Sequence, residues 1–161
     1  TPDFSYGLNV YLEYKNFDFT MFWQGVQGVD IISDLKKQTD IWAGLNIGFL
    51  NKGQRLLDAW SSTNPNSNIP ALSLSDNNNE KRVSTYWVEN GSYLKLRTIQ
   101  LGYNLPKSMT NRLAMQRLRF YLSAQNLLTI HSKSFTGVDP ENPNYGYPIP
   151  LNITFGINVT F

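Results

Sequence analysis

The 161-residue chain has no cysteine, one histidine, and only 16% charged residues, against roughly 25% in an average soluble domain. Without cysteine there is no disulfide framework and no thiolate metal site. His131 alone cannot build a histidine-rich metal centre, and no Gly-x-Ser-x-Gly elbow accompanies it. The net charge is +2, too small to point to nucleic acid. No run of about 18 apolar residues occurs, so no transmembrane helix is expected. The first residues, Thr1-Pro2-Asp3-Phe4, lack the charged and apolar regions of a signal peptide, so the chain reads as a mature protein or a fragment. Gly25 and Gly28 lack the third glycine of a dinucleotide loop. Asp139 and Glu141 are too close in sequence to promise the opposed geometry of a glycosidase pair. No enzyme, cofactor or metal is expected.

Aromatics are abundant, at 14%, and amide and hydroxyl side chains fill much of the remainder. The clearest pattern covers residues 151–161. There Leu151, Ile153, Phe155, Ile157, Val159 and Phe161 alternate with Asn152, Thr154, Gly156, Asn158 and Thr160. Successive strand side chains point to opposite faces, so this is a strand with one apolar and one polar side. The same alternation predicts strands over 4–14, 17–24, 98–105 and 117–129. Their apolar faces carry Phe4, Leu8 and Tyr14; Phe17, Met21 and Trp23; Ile99, Leu101, Tyr103 and Leu105; and Leu118, Phe120, Leu122, Ala124 and Leu128. Asn126 is the exception. No charge falls on these faces; Glu13, Asp18 and Arg119 fall on the others.

The strand lengths approach the roughly 9–11 residues that cross a bilayer at a tilt. The connections alternate in length. Lys15-Asn16 is a two-residue hairpin, more than 60 residues separate the second and third strands, about a dozen follow Pro106, and about 20 precede the last strand. Short periplasmic turns and long extracellular loops are the habit of outer-membrane barrels. The expected fold is therefore all-β: an antiparallel transmembrane β-barrel segment of about five C-terminal strands. The long loops are 26–92 and 131–150, both expected on the extracellular side. Tyr14, Phe17, Tyr103, Leu105 and Phe161 would form an aromatic-rich periplasmic rim, with Arg117 and Arg119 beside it and turned away from lipid. Five strands cannot close, since the smallest such barrels have about 8, so partners from the rest of a barrel are required.

In the larger loop, loosely helical spacing between Asp30 and Trp60 predicts one or two short helices, and residues 61–80 read as surface loop. Trp42, Trp60, Tyr86 and Trp87 are candidate contacts for a substrate or a lid, because their rings could stack on sugars. Packing in the loop's own core is the favoured reading of these four. Asp76, Glu80, Asp139 and Glu141 offer oxygen ligands but match no calcium-loop pattern.

Several blocks resemble the SusC/RagA transporters of the Bacteroidota. These are Tyr14-Lys15-Asn16-Phe17-Asp18 with Gln24-Gly25, Trp60 with Asn64-Pro65-Asn66, Ser92 to Arg97 with Leu101 to Pro106, Gln125 to Thr129 with Gly137 to Glu141, and Gly156 to Phe161. Leu151 departs from the basic residue expected in many members. The resemblance implies a 22-stranded outer-membrane barrel with a plug, a SusD-type surface lipoprotein as lid, and TonB-driven import of glycans or peptides. It implies that assembly machinery reads Phe161, and that the plug and the TonB-contacting region lie outside this chain. A passive porin, a barrel anchor for a surface complex and a soluble carbohydrate-binding β-sandwich are the alternatives.

Overall fold

The computed structural model describes residues 1–40, 52–73, 79, 82–144 and 146–161. Its strands are β1 (Phe4–Tyr14), β2 (Phe17–Gln27), β3 (Asp30–Ile32), β4 (Val88–Asn90), β5 (Tyr93–Asn104), β6 (Arg117–His131) and β7 (Asn152–Thr160). Two short helices, α1 (Asp34–Thr39) and α2 (Lys107–Thr110), and 3₁₀ turns at Gln54–Asp58, Thr85–Trp87 and Asn111–Leu113 complete the described elements. The chain forms two compact units. One holds residues 1–29, 91–132 and 148–161; the other holds 30–90 and 133–147.

The first unit is a five-stranded sheet in the order β1-β2-β5-β6-β7, antiparallel throughout. This is the neighbour order that the alternation predicts. Tyr14 pairs with Phe17 across the hairpin. Lys15 takes a φ of 55°, the positive value that tight hairpin turns demand at their first loop position. Asn16 is held from the next strand, its side-chain amide donating to the Asn104 carbonyl at 2.7 Å.

Residues opposite each other in a ladder share a face. The register therefore places Leu8, Trp23, Leu96 and Leu128 on one side, with Leu12, Phe19, Leu101, Leu122 and Phe155. That side is uncovered: Leu8, Leu101, Leu122 and Phe155 are 55%, 49%, 53% and 66% exposed. A soluble sandwich would bury such a face in its core, whereas a membrane barrel turns it to lipid. Tyr14, Phe17 and Tyr103 fall in one row at the hairpin end, with the Phe17 and Tyr103 rings 4.7 Å apart.

Three strands exceed their expected limits. β2 runs to Gln27, β6 runs to His131, and β5 begins at Tyr93 rather than at 98. The reason lies at Arg97. Leu94 and Leu96 are even-numbered, whereas Ile99, Leu101 and Tyr103 are odd, so plain alternation stops at that point. The ladder absorbs the change with two irregularities. The adjacent pair Phe22 and Trp23 faces Thr98 and Leu96, and the segment from Thr98 to Leu96 faces Gln125 to Leu128. An extra residue in one strand is a β-bulge. Asn126 sits in the second bulge with φ 56°, in the left-handed region that asparagine tolerates better than most residues.

The second unit contains the two-stranded ribbon β3–β4, which sequence alternation missed because each strand has three residues. Of the stretch expected to hold one or two short helices, the described residues form α1 and the 3₁₀ turn at Gln54–Asp58; residues 41–51 lie outside the described residues.

Candidate functional site in the loop unit and on the polar face

Serine caps α1. The Ser33 hydroxyl accepts from the Lys36 backbone N–H, satisfying one of the donors a helix start leaves open. The same hydroxyl lies 3.3 Å from that of Thr136. Glu89, on β4, ties these segments together. Its carboxylate accepts from the Thr136 N–H at 3.0 Å and the Thr136 hydroxyl at 2.6 Å, and pairs with Lys36 Nζ at 3.0 Å. The Lys36 ammonium also donates to the Tyr86 carbonyl at 3.0 Å. The Glu89 side chain is 1% exposed. Burial alone would raise its pKa, but the two bonds from Thr136 and the Lys36 ammonium outweigh it and hold the carboxyl below its ordinary range. No local motif announces this clasp, since Glu89 and Thr136 are 47 residues apart.

A second clasp closes on Asp40. Arg55 gives it two bonds, at 2.9 and 2.7 Å, and the Tyr86 hydroxyl donates to its other oxygen at 2.5 Å. Burial, then the bond to Asp40 and its charge, push the Tyr86 hydroxyl pKa far above that of free tyrosine. The Tyr86 ring meets Trp87 edge-on at 5.1 Å, and the Trp87 indole N–H donates to the Arg82 carbonyl at 2.9 Å.

These contacts place three of the four candidate aromatics. Trp87 is 3% exposed and enclosed, so it offers no ring face. Tyr86 packs on it with its hydroxyl taken. Trp60 remains 48% exposed, with its backbone bonded to Ile69. Beside it, the side chains of Asn64 and Ser67 both bond the Asp58 carbonyl, so the Trp-to-Asn-Pro-Asn stretch is a compact turn presenting the indole. Trp42, Asp76 and Glu80 lie outside the described residues. Asp139 accepts from the Glu141 N–H at 3.0 Å and bridges to Asn142, an ordinary side-chain-capped turn.

The polar face of the sheet carries the charged residues. Asp18 and Arg119 form an ion pair of two hydrogen bonds, one of them 2.9 Å long. Asn104 donates to the same carboxylate at 3.2 Å and accepts from Arg117 Nε at 2.9 Å. Both arginines thus sit at the hairpin end on the side opposite the apolar face. Lys95 lies on the polar face too, fully buried and 5.6 Å from the Tyr93 ring. Reading β5 as starting at 98 hid it. Phe161, just beyond β7, is 77% exposed.

No protein-family model matches the chain. Curated relatives do. TonB-dependent receptor P3 of Formosa agariphila is 35% identical over 177 residues, covering 100% of this chain and 16% of the receptor. TonB-dependent receptor P26 of the same organism is 32% identical, over 99% of this chain and 17% of the receptor. Among solved structures, the RagAB peptide importer in its "closed-closed" state superposes with a TM-score of 0.81 at 28% identity. Its "open-open" state gives 0.79 at 27%. Each match covers all of this chain and 17% of the importer chain. The chain thus spans about a sixth of the proteins it matches. Its bulged five-stranded sheet, its hairpin and its loop unit are a segment of their fold, and the chain belongs to the SusC/RagA group of TonB-dependent receptors.

Proposed function

We propose that the 161 residues form part of the wall and surface loops of an outer-membrane transporter that imports peptides or oligosaccharides. The wall is its five strands, with the apolar face against lipid and the polar face lining the interior. The connections 26–92 and 131–150 lie on the extracellular side. Energy comes through TonB, and a SusD-type lipoprotein closes the barrel from outside; the plug and the TonB-contacting region belong to the rest of the receptor. No catalytic step and no cofactor are assigned to this chain. The continuous apolar face opposite a charged one carries the reading, because soluble monomers rarely expose apolar patches of that extent, and such patches mark membrane or protein contact. The likeness to a peptide importer favours peptides over glycans.

Trp60 is the aromatic we assign to substrate or lid contact, ahead of Tyr86 and Trp87, because its ring is presented whereas Trp87 is buried and Tyr86 packs on it with its hydroxyl bound to Asp40; Trp42 lies outside the described residues. Phe161 is assigned as an interfacial ring and assembly signal. Its deletion should lower outer-membrane abundance far more than the unfolding midpoint of the purified receptor; a matching fall in both removes that role.

The test of the main reading is uptake. Cells lacking the gene should lose import of a peptide or oligosaccharide pool that wild-type cells accumulate, and inactivating TonB should abolish the same import. Import that persists without TonB would identify a passive pore instead.

A further inference from the structure

Both connections at the hairpin end of the sheet are basic. Lys15-Asn16 joins β1 to β2, and residues 105–116 join β5 to β6. The turns are neighbours: the Asn104 N–H donates to the Asn16 carbonyl at 2.8 Å, and the Gln116 N–H donates to the Thr160 carbonyl of β7 at 2.8 Å. Together they carry Lys15, Lys107 and Arg112, all exposed, and no acid. Among the described residues none of these three cations is in an ion pair. The two long connections leave the opposite end of the sheet. They carry both signs and hold nine of the chain's 12 acids. The acids nearest the hairpin, Glu13 and Asp18, lie on the polar face and are bonded to Tyr11 and Arg119.

Lys15 shows which side of the sheet this charge serves. Its ammonium lies 5.2 Å from the centre of the Tyr14 ring, a cation–π distance, and Tyr14 belongs to the apolar face. The ammonium thus rests on the apolar side rather than against the Glu13 carboxylate two residues away. Apolar side chains stand among the cations. Tyr14 is 71% exposed, Met109, between Lys107 and Arg112 in sequence, is 53% exposed, and Phe161 is 77% exposed. An edge that met only water would gain nothing from exposing them. Basic and aromatic side chains together suit the boundary where headgroups give way to hydrocarbon.

We propose that this basic edge selects anionic phospholipid from the periplasmic leaflet. The headgroup phosphate sits against Lys15, Lys107 and Arg112, and the acyl chains lie on the apolar face beside Phe17 and Tyr103. The inference rests on the proposed function, which puts that face in lipid and the hairpin end at its periplasmic border. A lipid fits better than free phosphate because the apolar surface begins directly beside the cations. A zwitterionic headgroup brings its own ammonium, so a net-anionic one gains more from an edge without acids. Each basic residue near an anionic surface adds about 5-fold to binding.

The chain contains no cysteine, so a single thiol can report locally. In the full-length receptor, freed of any other cysteine, Ser108→Cys carries a fluorophore between Lys107 and Met109. The receptor is reconstituted in vesicles of phosphatidylethanolamine and phosphatidylcholine. Quenching by phosphatidylglycerol with a nitroxide high on one acyl chain is compared with quenching by phosphatidylcholine bearing the same nitroxide. The anionic quencher should reach half-quenching at a mole fraction at least about 5-fold lower, the contribution of one cation. Lys15→Gln, Lys107→Gln and Arg112→Gln should each narrow the difference, and the triple variant should remove it. If the triple variant does not insert, the two quenchers on the unaltered edge still decide. Half-quenching at the same mole fraction by both lipids would overturn the proposal, as would a preference that survives the triple change. A preference erased by inorganic phosphate would assign the edge to free phosphate and overturn it too. Equal quenching combined with a Ser108→Cys thiol shielded in native outer membranes would give the edge to a protein partner instead. Equal quenching leaves the wall in lipid and removes this inference alone. No quenching by either lipid would take the hairpin end out of the membrane and count against the proposed function as well.

Discussion

Arg119 is a wall residue whose removal has a cost that its face alone does not reveal. Sequence alternation places it away from the apolar side, where a change to alanine looks harmless. The geometry shows that it is the main partner of Asp18, and both side chains are almost enclosed, at 12% and 11% exposure. Arg119→Ala leaves a carboxylate with Asn104 alone, so the two positions should be coupled. A double-mutant cycle with Asp18→Ala and Arg119→Ala, read by heat unfolding of the purified receptor, should give an interaction of roughly 0.5–3 kcal/mol. Additive effects would show that the pair is incidental. Glu89 makes a second prediction at this scale, with a definite sign. Its pKa is held below the ordinary value in the folded loop unit. Its ionised form therefore contributes stability that is fully present above the ordinary glutamate pKa of about 4.3. That contribution is lost as pH falls through the lower folded value. Acidification should raise amide exchange at 33–37 and 134–137 together, because both segments hang on the same carboxylate. In Glu89→Gln the exchange should already be high at neutral pH and respond little to acid. Independent responses of the two segments would break the clasp into unrelated contacts.

At the level of elements, the strands were largely legible and the bulges were not. Alternation located all five wall strands because each has a polar and an apolar side, and a period of two survives any sequence context. It failed where the period slips. Leu94 and Leu96 answer to Ile99 and Leu101 only after the extra residue at Arg97, and Asn126 looks like a polar fault in an apolar face until its positive φ is known. Asn126 is a bulge residue whose conformation matters more than its polarity. Asn126→Gly should leave the unfolding midpoint near wild type. Asn126→Val should lower it, with a stability loss of about 1–2 kcal/mol for a β-branched side chain forced into the left-handed region. Equal losses would mean that the hydrogen bond from the Asn126 amide to the Pro150 carbonyl outweighs the backbone. The loop unit was the least legible. Its clasps join residues tens of positions apart, and its ribbon strands are too short for any period to show. Of the candidate aromatics, composition identified the residues, but only packing distinguished Trp60, which is presented, from Trp87, which is enclosed.

On the scale of the whole molecule, the two faces of the sheet make opposite demands, and neighbouring residues can test them. Leu122 and Ser123 are consecutive in β6, share the same backbone surroundings and point to opposite sides. Leu122 lies opposite Leu101 and Phe155, in the middle of the apolar face; Ser123 lies opposite Gln100 and Thr154 on the polar one. If the apolar face meets hydrocarbon, Leu122→Arg should cost about 2–4 kcal/mol, the penalty for arginine near the bilayer midplane. Ser123→Arg, on the interior side, should cost much less. Both variants add the same side chain to the same strand, so differences in strand propensity or expression cancel to first order. The comparison is best read as unfolding of receptor reconstituted in lipid vesicles. A third variant then gives a depth profile: Phe17→Arg, at the hairpin end of the same face, should cost less than Leu122→Arg because the penalty falls to about 0–1 kcal/mol near the interface. Equal costs at 122 and 123 would mean that the apolar face is not the lipid face. A cost at 17 as large as at 122 would mean that the hairpin row does not lie at the edge of the membrane.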